Sequence, residues 1–208
     1  MTDARTPGVA RFPSPAGALA LAALIGCSPG TPTAVPAAMT EAPAAQPRHL
    51  ADRLGARCAD AAGGRDCIVG NVEAGDYYDI ELFPPCDAEG FFAGVSAPEA
   101  VALDTLPVTG SDARPNATLA QDQFLCVQAI ARSGQQPAYY YAIAIAPEGV
   151  SACRDAPICE RYGERPVRWE AQARTGVACN VEAPWQGDCA RGWIEADVLE
   201  AFSDGIAR

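Results

Sequence analysis

The sequence predicts a mainly β fold, a single disulfide-braced domain of short antiparallel strands that begins with a short helix. Short runs rich in apolar, β-branched and aromatic residues recur between turns that contain glycine, proline or aspartate. Eight cysteines follow Cys27, and an even number of cysteines is typical of a disulfide framework in an exported domain. Residues 48–208 are long enough to form one domain with a hydrophobic core.

A short amphipathic helix is expected over residues 49–62. Leu50, Leu54 and Cys58 lie four residues apart, which places them on one face of a helix. Two glycines directly after residue 62 favour an end to the helix there.

The rest of the chain reads as short strands. We expect strands over residues 67–72, 76–83, 90–96, 101–108, 123–131, 138–146, 166–173 and 175–181, the last two forming a pair. Residues 110–122, which contain Pro115, are expected to form a loop.

Two of these strands, residues 123–131 and 138–146, have the strongest patterns and predict a hairpin, because a turn sequence separates them. In the second strand Tyr139 and Tyr141 alternate with Tyr140, so these side chains lie on opposite faces of the sheet. Burial of both faces, or one core face and one face of small residues, fits this pattern.

The last part of the chain is less regular. Residues 151–164 predict a disulfide-pinned loop or short helix. Residues 191–199 predict a short strand that runs into a helical turn.

The eight cysteines after Cys27 are expected to form disulfides, with metal binding as the alternative. Zinc sites favour C-x2-C pairs or nearby histidines, whereas the shortest spacing here is C-x5-C and the only histidine is His49. No metal ion or other cofactor is therefore expected. The sequence alone does not select one pairing; proximity favours Cys58–Cys67, Cys153–Cys159 and Cys179–Cys189, which leaves Cys86–Cys126 as the long-range bridge.

Residues 1–26 have the layout of a secretory signal. Arg5 and Arg11 precede an apolar run that is too short to span a bilayer. Residues 24–27, Leu-Ile-Gly-Cys, resemble the lipobox of bacterial lipoproteins. The resemblance implies that Cys27 is acylated, as with palmitate, and becomes the mature N-terminus.

The residues after the lipobox predict where the domain is held. Ser28 stands where an aspartate would favour retention at the inner membrane, so a lipid anchor in the outer membrane, facing the periplasm, is expected. Residues 27–47 are the lipidated cysteine and a tether rich in proline and alanine, which buries too little apolar surface to fold. Fully extended, this tether reaches about 60 Å.

The charge of the domain is negative and unevenly distributed. Residues 52–122 contain thirteen Asp and Glu against four Arg, a net charge of −9, whereas residues 123–208 contain eleven against eight, a net charge of −3. Nucleic acid is therefore not an expected partner, since its phosphates would be repelled. A basic protein or a divalent cation suits the acidic half better, and a solvated acidic surface without a partner is the simplest alternative.

Few residues are available for catalysis, and we expect a protein that is not an enzyme. The domain after His49 contains no histidine and the chain contains no lysine, which excludes Ser-His-Asp and Cys-His arrangements and lysine nucleophiles. Disulfide-bonded cysteines do not act as thiolate nucleophiles.

Carboxylates on one predicted strand are the remaining candidates for chemistry. Asp76 lies on the same strand as Asp79 and Glu81, and the last two share a face. A glycosidase-like carboxylate pair, or a calcium site with Asp87 and Glu89 nearby, is one interpretation. The other is an ordinary solvated strand face.

Aromatic residues add candidates for recognition, because one member of an adjacent pair on a strand points away from the core. Trp185 lies in a short loop between two cysteines and is expected to be exposed. The predicted partner-binding residues are Asp76, Tyr77, Asp79, Glu81 and Trp185.

Residues 191–199, which contain Gly-Trp-Ile-x-x-x-x-Leu, resemble the last strand and 3-10 turn of bacterial SH3-like domains. The resemblance covers about nine residues and implies a small barrel in which Trp193 and Leu199 are core residues.

Together these features predict a non-enzymatic periplasmic lipoprotein that binds a macromolecular partner. The specific hypothesis is an inhibitor or immunity protein that acts on a basic cell-wall hydrolase such as a muramidase. An SH3-like module for peptidoglycan binding or envelope assembly is the first alternative, and a carboxylate-dependent hydrolase is the second.

Overall fold

Antiparallel strands account for most of the ordered elements in the computed structural model of this protein. The structure describes residues 45–83, 86, 90–170, 175–181, 186–202 and 206, with side chains from residue 47. These residues belong to one compact unit, Thr40–Arg208. The predicted signal segment and lipobox, and the tether up to residue 44, lie outside the described residues.

The strands are β1 (Arg57–Asp60), β2 (Arg65–Asn71), β3 (Asp76–Leu82), β4 (Phe91–Val95), β5 (Glu99–Leu103), β6 (Pro115–Ala120), β7 (Phe124–Ser133), β8 (Gln136–Ala144), β9 (Val167–Trp169), β10 (Arg191–Glu195) and β11 (Leu199–Ala201). The helices are α1 (Ala45–Arg53) and α2 (Pro157–Arg161), with 3-10 turns at Pro147–Gly149, Ser151–Cys153 and Ala196–Val198.

All pairings between these strands are antiparallel. Neighbouring strands are hydrogen-bonded in the order β1-β2-β3-β7-β8-β10-β5-β6-β9, and β4 and β11 lie off this path. A mainly β domain is therefore confirmed. The described strands do not close into one barrel, because β1 and β9 stand at the two ends of this order. Within the sheet, β4 pairs with both β7 and β11, and β10 continues through a 3-10 turn into β11, so that β4, β7, β8, β10 and β11 follow one another in a ring.

The strands expected at residues 67–72, 76–83, 90–96, 123–131 and 138–146 are confirmed within a few residues as β2, β3, β4, β7 and β8. The strand and helical turn expected at residues 191–199 are confirmed as β10 and the 3-10 turn before β11. The strand expected at residues 101–108 forms only in part, as β5, and Leu106 beyond it is buried in the core.

The expected helix over residues 49–62 is wrong at both ends. α1 begins at Ala45, within the last residues of the predicted tether, and ends at Arg53. Gly55 adopts a positive φ of 66°, and the amide of Ala56 donates to the carbonyl of Ala51 at 2.9 Å. This backbone arrangement closes a helix C-terminus, so the cysteine at position 58 lies on β1 and not on the helix.

Two expectations about loops and strand pairs are also wrong. The predicted loop over residues 110–122 contains β6, whose Pro115 is the first residue of the strand, a position where the missing amide is tolerated. Residues 166–173 and 175–181 do not pair in the described part of the chain: β9 pairs with β6 instead. The carboxylate of Asp188 accepts the amides of Thr175 and Gly176, which holds that segment in a loop.

β7 is the centre of the fold. It pairs with β3, β4 and β8, and its residues from Phe124 to Ala131 are all buried. Both faces of β8 are buried as well, since Tyr140 packs in one core cluster and Tyr141 in another. A near-continuous apolar sequence is typical of strands that are covered on both faces.

The structure contains four disulfides: Cys58–Cys67, Cys86–Cys126, Cys153–Cys159 and Cys179–Cys189. Three of them are the pairs that proximity along the chain favoured, and Cys86–Cys126 is the long-range bridge that those three left over. Cys58 and Cys67 are direct partners in the β1–β2 register, and Cys86–Cys126 links the β3–β4 connection to the central strand β7.

Gly94 on β4 shows how closely this strand packs against Tyr162. A Cβ atom at this position would overlap the ring of Tyr162, which is fully buried. We expect Gly94→Ala to lower the free energy of unfolding by about 1–3 kcal/mol, the usual effect of overpacking, in urea denaturation. Gly149→Ala is the matched control, because nothing lies within 4 Å of its Cβ position. Equal stability of the two variants would contradict this packing.

Tyr162, directly after α2, also contacts the segment that contains Glu200 and Phe202. Its hydroxyl donates to the Glu200 carboxylate at 2.7 Å, and its ring lies 5.2 Å from the ring of Phe202. Burial, followed by the hydrogen bond to Glu200, raises the pKa of Tyr162 to about 12.

This raised pKa predicts a loss of stability in alkali. The unfolded chain releases the Tyr162 proton near pH 10 and the folded protein only near pH 12, so the stabilisation is complete below about pH 10 and is lost as the pH rises towards 12. Urea midpoints at about pH 9 and about pH 11 measure this loss. Tyr162→Phe should show a smaller decrease, and an identical decrease would contradict the assignment.

Candidate functional site

The β2–β3 hairpin has one face in the core and one face outside. Ile80 and Val69 point inward and pack with Leu54 at the end of α1. Tyr77, Asp79 and Glu81 alternate with the inward residues and are exposed. The solvated strand face predicted from the sequence is therefore present.

The tip of this hairpin is held by its own hydrogen bonds. The side-chain oxygen of Asn71 accepts the amides of Glu73 and Ala74 at 3.0 and 3.3 Å. The amide of Gly75 donates to the carbonyl of Val72 at 3.0 Å, and Gly75 has a φ of 69° that glycine adopts without strain. The tip is thus ordered before any partner binds.

Two large apolar side chains are exposed at this tip. Val72 is 49% exposed and Tyr77 is 36% exposed, and both are among the exposed large hydrophobic residues of the described chain. Tyr77 lies opposite Gly70 in the β2–β3 register, so no side chain on β2 covers it from that position.

The carboxylates around these residues differ in whether a basic group neutralises their charge. Glu81 accepts a hydrogen bond from the Arg132 guanidinium of β7 at 2.9 Å. Glu73 and Asp79 are exposed, and within the described residues neither has a basic group at ion-pair distance. The guanidinium of Arg57 also lies close by, where it donates to the Gly70 carbonyl at 2.8 Å. The face formed by Val72, Glu73, Tyr77, Asp79 and Glu81, here called the hairpin face, has three carboxylates beside the guanidinium groups of Arg57 and Arg132 and therefore retains a small net negative charge.

Asp76 does not share the hairpin face. Its carboxylate accepts the amide of Thr109 at 2.5 Å, and the hydrogen bonds from the side chain and the amide of Thr109 hold the pKa of Asp76 below its usual value. It ties the hairpin to the loop between β5 and β6. Asp76 is thus placed as a structural residue, apart from the other predicted partner-binding residues of its strand.

The remaining candidates separate into two groups. Trp185, Asp87 and Glu89 lie outside the described residues. Trp193 is 1% exposed, and Leu199 is half-buried against the core.

The surroundings of the Asp79–Glu81 pair are those of an open strand face. Glu81 is engaged by Arg132, and both carboxylates lie on an exposed sheet face. Two clefts in the described part of the chain, of about 570 and 370 Å³, are lined by other residues. Across the described residues, no group of three or more His, Cys, Asp or Glu side chains is placed to hold a metal ion.

Sequence reasoning located the Ala-Gly turn between the two strands of the hairpin, but it missed the contacts that shape the hairpin face. The pairing of Glu81 with Arg132 joins residues 51 positions apart and depends on the β3–β7 register. The ordered tip had a local signal, because asparagine and glycine flank it in Asn71-Val-Glu-Ala-Gly75, a typical turn composition.

Comparisons with protein-family models, curated proteins and solved structures find no match to this chain. No helix among the described residues combines the length and apolar character required to cross a membrane.

Proposed function

We propose that this protein is a bacterial lipoprotein, acylated at Cys27 and anchored in the outer membrane facing the periplasm, whose β domain binds a basic macromolecular partner through the hairpin face. Residues 27–47 serve as the tether that gives the domain reach from the membrane. The protein acts by binding and not by catalysis.

The observation that carries this proposal is the combination of charge and apolar exposure at one ordered projection. Glu73 and Asp79 add negative charge beside the exposed side chains of Val72 and Tyr77. An apolar contact beside an excess of acidic groups suits a basic protein surface, because opposite charge speeds association and a pre-ordered loop reduces the entropy lost on binding. Within this class, we favour inhibition of, or immunity against, a basic cell-wall hydrolase, since the anchor places the domain where such enzymes act.

The test begins with the full chain, purified in mild detergent with its disulfides formed, as bait in an envelope extract at low salt. A basic protein released by moderate salt is then purified, and its binding rate is measured against ionic strength. We expect the association rate to fall steeply as salt rises.

The decisive comparison uses matched charge changes. Glu73→Gln with Asp79→Asn should slow association by about tenfold at low salt, and the difference should disappear at about 0.5 M salt. Glu148→Gln with Glu164→Gln removes the same charge from exposed residues elsewhere and should have little effect. An association rate that does not depend on salt, or an equal effect of the two variants, would overturn the proposed surface.

A second candidate function is an SH3-like peptidoglycan-binding or envelope-assembly module. It is supported by the ring formed by β4, β7, β8, β10 and β11 and by the 3-10 turn between the last two strands. Sedimentation with purified sacculi tests it. Retention that is lost in Trp185→Ala would favour the wall-binding module, and no retention would remove it.

A further inference from the structure

The Cys153–Cys159 bridge differs from the other three disulfides in its burial. Each of the others contains one cysteine that is at most 2% exposed, namely Cys67, Cys126 or Cys189. Neither Cys153 nor Cys159 is buried to that extent, and both line a cleft of about 370 Å³. Both cysteines pack against the core cluster around Tyr162, and the cleft leads to their bridge without passing a core strand.

We infer that the Cys153–Cys159 bridge is a thiol–disulfide exchange site for a dithiol reductant. A thiolate of the reductant attacks the sulfur of one cysteine, the S–S bond breaks, and the other cysteine leaves as a thiolate and takes up a proton. The second thiol of the reductant then attacks the mixed disulfide, forms the reductant's own disulfide and releases the first cysteine, which is also protonated. Two electrons and two protons pass to the bridge.

The buried cysteines explain why the other bridges resist the same attack. Attack on the exposed Cys179 would expel Cys189 as a thiolate into the core. The sulfur of Cys189 lies 3.3 Å from the carbonyl oxygen of Gln186 and 4.0 Å from that of Asn180, and these oxygens disfavour a negative charge. A thiolate that is poorly stabilised is a slow leaving group.

The segment around the bridge is also held by contacts that do not depend on it. The amide of Cys153 donates to Val150, that of Ala156 to Cys153, and that of Cys159 to Ala156, at 2.9–3.1 Å. Directly after α2, the buried ring of Tyr162 packs against Phe202 and so anchors the segment in the core. Reduction should thus leave both thiols close together and the fold intact, so that the bridge re-forms. The bridge would exchange in this way whatever partner the hairpin face binds.

Graded reduction of the full chain tests this site. Free thiols are first capped with N-ethylmaleimide, a step in which Cys27 takes up the label if it carries no lipid. The protein is then equilibrated with increasing dithiothreitol, quenched with a second maleimide of different mass, and mapped by mass spectrometry. We expect Cys153 and Cys159 to take the second label together at a dithiothreitol concentration about tenfold below that needed for any other pair, a difference of about 30 mV.

The near-ultraviolet circular dichroism, recorded on the same samples, should not change over that range. Labelling of another pair first, or labelling of this pair only as the fold is lost, would overturn the inference. In a matched control, Cys179→Ala with Cys189→Ala, the Cys153–Cys159 bridge should open at the same dithiothreitol concentration. A shift in that concentration would show that opening depends on the neighbouring bridge and would also overturn it.

Discussion

Replacement of Cys86 and Cys126 by alanine is expected to lower the free energy of unfolding by about 3–4 kcal/mol. The bridge joins cysteines 40 positions apart, and the loss of unfolded-chain entropy that a disulfide imposes grows with the length of the loop it closes. Cys126 is fully buried on β7, so its truncation also removes contacts from the centre of the sheet. Urea denaturation, with the slope of the transition compared between proteins, measures the change.

The matched control is the double replacement of Cys153 and Cys159. Their separation is only 6 residues, for which the same entropy argument gives about 2 kcal/mol. Removal of the long-range bridge should therefore lower the free energy of unfolding clearly more than removal of the short one. Equal losses would show that strain or residual structure in the unfolded chain, rather than loop length, governs these bridges.

Trp193→Ala is expected to reduce stability by about 3–5 kcal/mol, the range for truncating a large buried aromatic side chain. The ring of Trp193 lies 5.3 Å from that of Tyr141 in an edge-to-face arrangement and packs with Leu106 in the core beneath α1. No local rearrangement fills the space, because β10 is held between β8 and β5. Thermal and urea unfolding both measure the loss.

Trp169→Ala is the control for this prediction. Trp169 lies half-buried at the end of β9, the last strand of the sheet, where its removal should cost less. A Trp193→Ala protein that unfolds like the unsubstituted chain would contradict a core role. If such a protein also lost retention on sacculi, Trp193 would be a ligand contact and the wall-binding module would be favoured.

The parts of the fold that could be predicted are those with local signals. The β7–β8 hairpin joins strands that are neighbours in sequence, and its apolar pattern and turn residues lie within one short stretch. The alternation in β3 likewise predicted which side chains face outward, including Tyr77 and Asp79. Gly55 was a local signal for the end of α1, but the recurrence of apolar residues on one helical face outweighed it in the prediction.

The candidate site could be predicted only in part. Its exposed carboxylates follow from strand alternation, but the distinction among Asp76, Asp79 and Glu81 does not. Asp76 is separated from its partner Thr109 by 33 positions, and Glu81 from Arg132 by 51. These contacts tie Asp76 into the fold and balance part of the charge of Glu81, and the pattern of one strand contains no information about them.

The sequence by itself determined the β character of the domain and the excess of negative charge in residues 52–122, and it favoured the cysteine pairs that are close along the chain, because each depends on composition or on neighbouring residues. The tertiary structure alone decided that Pro115 begins a strand, that β9 pairs with β6 and that the sheet ends at β1 and β9. Those outcomes depend on which distant segments satisfy the backbone hydrogen bonds of a strand, and that choice is made by the assembled sheet and not by the strand's own residues.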